Sequence, residues 1–295
     1  MDFLFWKKPQ PQYLERAPKK EVLPEKFNWQ KLEEQKNLES RIGAMSSAVF
    51  FPNGKLLASV EKKSRDGQVP AIRLLAIDGQ REIGRFQAKS NVLSLAATAD
   101  GQIIYGGDDK YARILNPQTE EVREIQTLTK DVTALATMKD GNILYGGADG
   151  LVGILHAKSG QELRHFFALE GSGGITSLAE LADGKIAAGC NDGSIRILDP
   201  KTGAELKKIN NIENGAVTAL MANPDGSSVA GTENGSVVVL DDLRYPVEVL
   251  ARHEEPVTAL GYDAWKKQLY STSQDGISRV WNTKEETAPA ANFKL

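Results

Sequence analysis

One cysteine and three histidines in 295 residues leave little material for redox or metal chemistry. Cys190 stands alone, so no intrachain disulfide can form, and no His or Arg adjoins it to stabilise a thiolate. It reads as a small side chain packed between strands, and a chain without disulfides fits a reducing compartment. His156, His165 and His253 fall in separate segments, with no HExxH, CxxC or His-x-His spacing, so neither a metal nor another cofactor is expected. There is no GxSxG elbow, so no catalytic residue is assigned. Gly171-Ser172-Gly173-Gly174 leads into a strand rather than a helix and lacks the amide array that cradles phosphate. Charge of one sign is also missing: 36 Lys and Arg against 39 Asp and Glu give −3, without the basic excess that nucleic acid requires. No apolar run approaches the ~20 residues of a membrane helix. The opening MDFLFWKKPQ has four apolar residues before Lys7-Lys8, too few for a signal-peptide core, so the expected location is the cytoplasm, alone or on a membrane-bound assembly.

What the chain does have is a repeat. VTALGYDAWKKQLYSTSQDGISRVW, from Val257 to Trp281, is an alternating strand, a turn, a second strand, an Asp-Gly turn and a third strand. Related copies begin at Met45, Val92, Val132, Ile175 and Val217, a spacing of 40 to 47 residues. That is the period of four-stranded propeller blades, units that cannot bury both faces alone and close into a ring. The fold expected is all-β: a β-propeller of four-stranded antiparallel blades over residues 45–295, with six blades favoured over seven. Asp109, Asp149, Asp192 and Asp275 recur at equivalent turns, and they read as turn formers before they read as a calcium ring. The last blade stops soon after Trp281. Its outer strand must come from the C-terminal ETAPAANFKL or from residues just ahead of Met45, which would close the ring on the N-terminal end.

Residues 1–44 are expected to form an extended arm and a short helix. Pro9, Pro11, Pro18 and Pro24 keep the arm extended, while NWQKLEEQKNLESRIG reads as a helix from Asn28 to Gly43. Phe3, Leu4, Phe5 and Trp6 form an apolar cluster with three destinations: the chain's own propeller, a partner's groove, or a membrane interface with Lys7 and Lys8 on headgroups. The first blade carries a long loop with Lys62, Lys63 and Arg65, and insertions in repeat proteins often mark a binding face. Trp265 replaces a polar turn residue beside Lys266 and Lys267, the composition of an interface hot spot or of a contact with the N-terminal segment.

The final blade resembles a WD-repeat unit: Arg252-His253 stands where that family has Gly-His, and Trp281-Asn282 where it has Trp-Asp. The resemblance implies a buried hydrogen-bonded tetrad of His253, Ser271, Asp275 and Trp281, a structural device rather than an acid–base pair. Elsewhere Leu75, Leu115, Leu155, Leu198 and Leu240 replace the tryptophan, and Ser271 is aligned with Gly106, Gly146, Gly189, Gly231 and Ser59. The family's usual role implies a non-enzymatic scaffold that binds other proteins in a multi-subunit complex. Candidate contacts are Phe3, Phe5, Trp6, Lys62, Lys63, Arg65 and Trp265. A propeller hydrolase or lyase with an axial site, and a peripheral membrane adaptor held by residues 3–8, are the alternatives.

Overall fold

A computed structural model describes residues 32–38, 45–51, 56–61, 71–76, 81–169, 173–210, 212, 215–223, 226–241, 245–263 and 268–283. Among the described residues the regular structure is all β, 24 strands in six four-stranded antiparallel sheets. Five sheets each use four consecutive strands. These are β2–β5 (Met45–Phe50, Leu56–Glu61, Ala71–Ala76, Arg81–Gln87) and β6–β9 (Val92–Ala97, Ile103–Gly107, Tyr111–Leu115, Val122–Gln126). Then come β10–β13 (Val132–Thr137, Ile143–Gly147, Leu151–Leu155, Glu162–Phe167) and β14–β17 (Ile175–Glu180, Ile186–Cys190, Ile195–Leu198, Glu205–Ile209). The fifth is β18–β21 (Val217–Ala222, Ser228–Thr232, Ser236–Asp241, Tyr245–Arg252). The remaining sheet is composite: β22 (Val257–Asp263), β23 (Gln268–Ser273) and β24 (Ser278–Thr283) are completed by β1 (Leu32–Leu38). The expectation of six like units is corrected in this respect, since five blades are continuous in sequence and one is shared between the two ends of the chain.

The helix expected over residues 28–43 is corrected as well, because 32–38 is strand β1, paired antiparallel with β24 from Leu32↔Thr283 to Leu38↔Ser278. Glu33, Glu34, Gln35 and Lys36 have ample helix propensity, but the edge of β24 presents a row of backbone N–H and C=O groups that need partners. The tertiary pairing outweighs the local preference. Of the two sources considered for the last outer strand, the residues ahead of Met45 supply it.

The first strand of each continuous sheet, and β22 of the composite one, lies innermost, and β2, β6, β10, β14, β18 and β22 neighbour one another in a closed ring. Each shifts register at its second residue, as between Val132 and Ala134 or Val217 and Ala219. The hydroxyl at that bulge reaches the next blade: Thr133 Oγ1 donates to the Ile175 carbonyl at 2.6 Å, and Thr176 Oγ1 to that of Val217 at 2.7 Å. In β6 the position holds Leu93, and the adjacent Ser94 Oγ makes the link to the Val132 carbonyl at 2.7 Å. At the periphery, the Arg123 guanidinium donates to the Ala157 and Lys158 carbonyls of the next blade, and Arg164 repeats the device on Lys201.

The apolar core lies between blades. One cluster joins Val60, Ile72 and Leu74 of one blade to Val92, Ile103 and Tyr105 of the next, and burial of such side chains contributes roughly 1.5–3 kcal/mol each. Close approach demands glycine in the second strands: a Cβ on Gly189 would stand 2.8 Å from Val217 Cγ1, and one on Gly146 would stand 2.7 Å from Ile175 Cγ2. These glycines let the inner strand of the following blade lie directly on the sheet.

Candidate functional site

The composite sheet, its β23–β24 turn and the connection leading into β22 hold the residues that the family resemblance singles out. His253, Ser271 and Trp281 are buried together, with His253 Nε2 2.9 Å from Ser271 Oγ and the Trp281 indole N–H donating to the same oxygen at 3.4 Å. Asp275 is used differently. Its Oδ1 accepts the Ile277 backbone N–H at 2.8 Å and shapes the β23–β24 turn, while His253 Nδ1 is buried without a hydrogen-bond partner. Burial first, then the positive charge of Arg279, push the His253 pKa down to about 4 against the opposing pull of Asp275. The imidazole is therefore neutral at physiological pH and sealed between strands.

Register corrects the alignment of Ser271. Ser271 pairs with Arg279 as Tyr105 pairs with Arg113, Tyr145 with Gly153 and Ala188 with Arg196. Its counterparts are thus Tyr105, Tyr145, Ala188, Ala230 and Ser59. Gly106, Gly146, Gly189 and Gly231 correspond instead to Thr272, one residue on, where side-chain volume would meet the next blade. Counting back from the Asp-Gly turn would have revealed this.

The remaining polar side chains serve the scaffold. Arg113, only 3% exposed, bonds Asp109 Oδ2 at 2.5 Å, Glu124 Oε1 at 2.9 Å and Ser90 Oγ at 3.0 Å. Burial would raise the Asp109 pKa, but the Arg113 guanidinium outweighs it and holds the carboxyl below its ordinary value. Asp149 and Asp192 accept backbone N–H groups within their turns, from Leu151 and Ser194. Cys190 is fully buried and its thiol pKa is pushed up by burial, the state of a packing residue. Among the described residues no group of three or more His, Cys, Asp or Glu could hold a metal ion. No helix among them is long and apolar enough to cross a membrane.

Two surfaces remain. A central channel of about 670 Å³ runs between the inner strands, walled mainly by Ala, Leu and Thr, with Thr133, Thr176, Thr218 and Thr258 at equivalent positions. The other is the periphery, where Leu128 and Phe167 are 55% and 62% exposed. Sequence reasoning allowed for an axial site but passed over Leu128 and Phe167, which lie among polar residues of the β9–β10 connection and of β13. Phe3, Phe5, Trp6, Lys62, Lys63, Arg65 and Trp265 lie outside the described residues.

Stacked four-stranded antiparallel sheets around an axial channel define the class: a β-propeller. Within it, two segments, residues 161–199 and 244–282, match the family model described as WD domain, G-beta repeat. Each match starts in the outer strand of one blade (β13, β21) and ends at the third strand of the next. The chain therefore carries WD repeats at two positions, on a fold consistent with the WD-repeat family. No curated protein matches it.

Proposed function

We propose that this protein is a non-enzymatic interaction scaffold that docks other proteins into a larger assembly in the cytoplasm. One observation carries the reading: among the described residues the buried polar side chains bond within and between blades, leaving a ring with exposed edges and loops. Ser271 lies in β23 with His253 of the β21–β22 connection buried against it, Thr133, Thr176 and Thr218 donate to carbonyls of their own or the next blade, and Thr258 bonds the Thr272 hydroxyl. WD-repeat propellers typically bind other proteins in this way, because preformed loops lose little entropy on binding. In this reading Phe3, Phe5 and Trp6 on the arm, Lys62, Lys63 and Arg65 on the first blade's loop, and Trp265 on the last blade carry the contacts.

The test is affinity purification of the tagged chain from its native cells. The intact protein is compared with one lacking residues 2–8, with Lys62, Lys63 and Arg65 changed to Glu, and with Trp265→Ala. Proteins retained by the intact chain should be lost from the variants, while circular dichroism and melting stay unchanged. Retention of nothing by the intact chain would refute the scaffold. Flotation with liposomes that depended on residues 2–8 would replace protein docking by a membrane role for the arm.

A further inference from the structure

Aligned by their pairing with the third strands, several outer strands share one pattern. In β5, β13 and β17 a glutamate stands opposite a third-strand leucine: Glu82 opposite Leu75, Glu162 opposite Leu155, Glu205 opposite Leu198. Four residues later comes a large apolar side chain, Phe86, Phe166 or Ile209, which packs into the core between blades. Those four steps face only three on the third strand, because each outer strand carries one extra residue. The glutamate answers an arginine of the third strand: Arg73 Nε meets Glu82 Oε2 at 2.6 Å, and Arg196 Nη1 meets Glu205 Oε2 at 2.6 Å. Gly153 replaces that arginine beside β13, and there the Tyr145 phenol donates to Glu162 Oε1 at 2.9 Å. The composite sheet keeps the pattern in its separate piece. Glu34 of β1 stands opposite Trp281 and Leu38 opposite Ser278, again four steps against three. Arg279 pairs with Ser271 as Arg73 pairs with Ser59.

β1 differs from the other outer strands in its connection. Each of those five follows its third strand after three to six residues, whereas β1 meets β24 from the opposite end of the chain. Its link into the ring runs through residues 39–44 to β2, so it can leave the edge without opening a hairpin. Lys36 and Asn37 are poor strand formers, and its apolar position holds Leu38 where β5 and β13 have phenylalanine. We propose that the outer edge of β24 is an exchangeable docking site for an extended segment of another protein, one with glutamate four residues ahead of a large apolar side chain. Such a segment pairs with β24 through main-chain hydrogen bonds, as β1 does, and takes its register from the same two positions. Its glutamate is matched to Arg279, as Glu82 is to Arg73. Competition with β1 sets the terms. The tether holds β1 at an effective concentration on the order of 1 mM, so a free segment wins only where it fits better. Phenylalanine at the apolar position and β-branched residues ahead of it supply that margin. Residues 34–38 of a second copy have no such margin over those already in place. The site rests on the scaffold reading for its use and names the kind of partner, while its chemistry is tested without one.

The probe is a fluorescein-labelled peptide of residues 30–40 with Gln35→Val, Lys36→Thr and Leu38→Phe, and the receptor is the full-length chain. Fluorescence anisotropy should show saturable binding below ~1 mM, weakened at least roughly tenfold when the peptide also carries Glu34→Lys. In the complex, amides 32–38 of the chain should exchange with deuterium faster while those of 278–283 stay protected. A Leu32→Cys/Thr283→Cys chain, oxidised, ties β1 to its edge and should not bind. Reduction should restore binding, which also shows that the variant folds. Cys190 is buried and does not compete for the new disulfide. No binding at ~1 mM, equal binding by the oxidised chain, or equal binding of the Glu34→Lys peptide would each overturn the site. A native dimer that the oxidised lock abolishes would give the edge to a second copy instead. If the peptide fails while proteins are still retained on affinity purification, the site falls and the scaffold stands. A chain that retains nothing refutes the scaffold even where the peptide binds.

Discussion

His253 and Gly189 show how little freedom single positions have in a stacked ring. His253 is neutral in the folded protein, with a pKa of about 4 against 6.5 for the free side chain. The unfolded chain therefore binds the extra proton first as pH falls, and folding loses stability between pH 6.5 and about 4. The full contribution, present above pH 6.5, is about 3 kcal/mol. Urea unfolding from pH 7.5 to 4 should show that slope in the native chain and not in His253→Leu. An unchanged slope in the variant would mean another group titrates. The lowered carboxyl pKa values of Asp109 and Asp192 bear on stability only near and below their ordinary value of 3.8, whereas those of Glu82 and Glu124 begin to do so near 4.5. The slope between pH 6.5 and 5 is therefore the one that reports His253. Gly189→Ala should cost about 1–3 kcal/mol, because its Cβ meets Val217 Cγ1 at 2.8 Å in an interface that cannot part without shifting a whole blade. Chemical denaturation would measure it. A neutral result would show that the blades slide apart freely at that point.

At the scale of strands, β1 is the element on which ring closure depends. A chain lacking residues 1–38 leaves the outer edge of β24 unpaired, whereas one lacking residues 1–31 keeps the sheet whole. The longer deletion should lower the melting temperature by roughly 10 °C and promote association through the bare edge, and a peptide covering residues 28–42 should restore both. Equal melting of the two truncations would remove β1 from any closing role. The repeated strands were legible in the sequence because alternation and Asp-Gly turns are local signals, visible in VTALATMKDGNILYGGADG as in VTALGYD. β1 was not, since nothing local to Glu33-Glu34-Gln35-Lys36 separates an edge strand from a helix; its state is decided by a partner some 245 residues away in the chain.

For the whole molecule, the composite sheet implies that folding must bring the two ends together across nearly the entire chain. Closing a loop costs about (3/2)RT ln n, so replacing a separation of some 245 residues by a turn of about four should relieve roughly 3–4 kcal/mol. The register indicates how to do it, because Leu32 faces Thr283 and a short loop can join them as a hairpin. A circular permutant beginning at Met45 and ending with β1 then builds every sheet from consecutive strands. Its reference is the unpermuted chain of residues 32–283. The permutant should refold faster and unfold at a higher urea midpoint, as the contact of greatest sequence separation is replaced by a local one. The inner ring still has to shut between β2 and β22, so the gain should be smaller than the full loop term if that contact forms together with β1–β24 in the transition state. Stopped-flow refolding distinguishes the cases: a faster folding arm with an unchanged unfolding arm places closure at the rate-limiting step. A permutant that folds no faster, and is no more stable, would mean that the ring assembles from its inner strands first and that β1 merely seals a disc already formed.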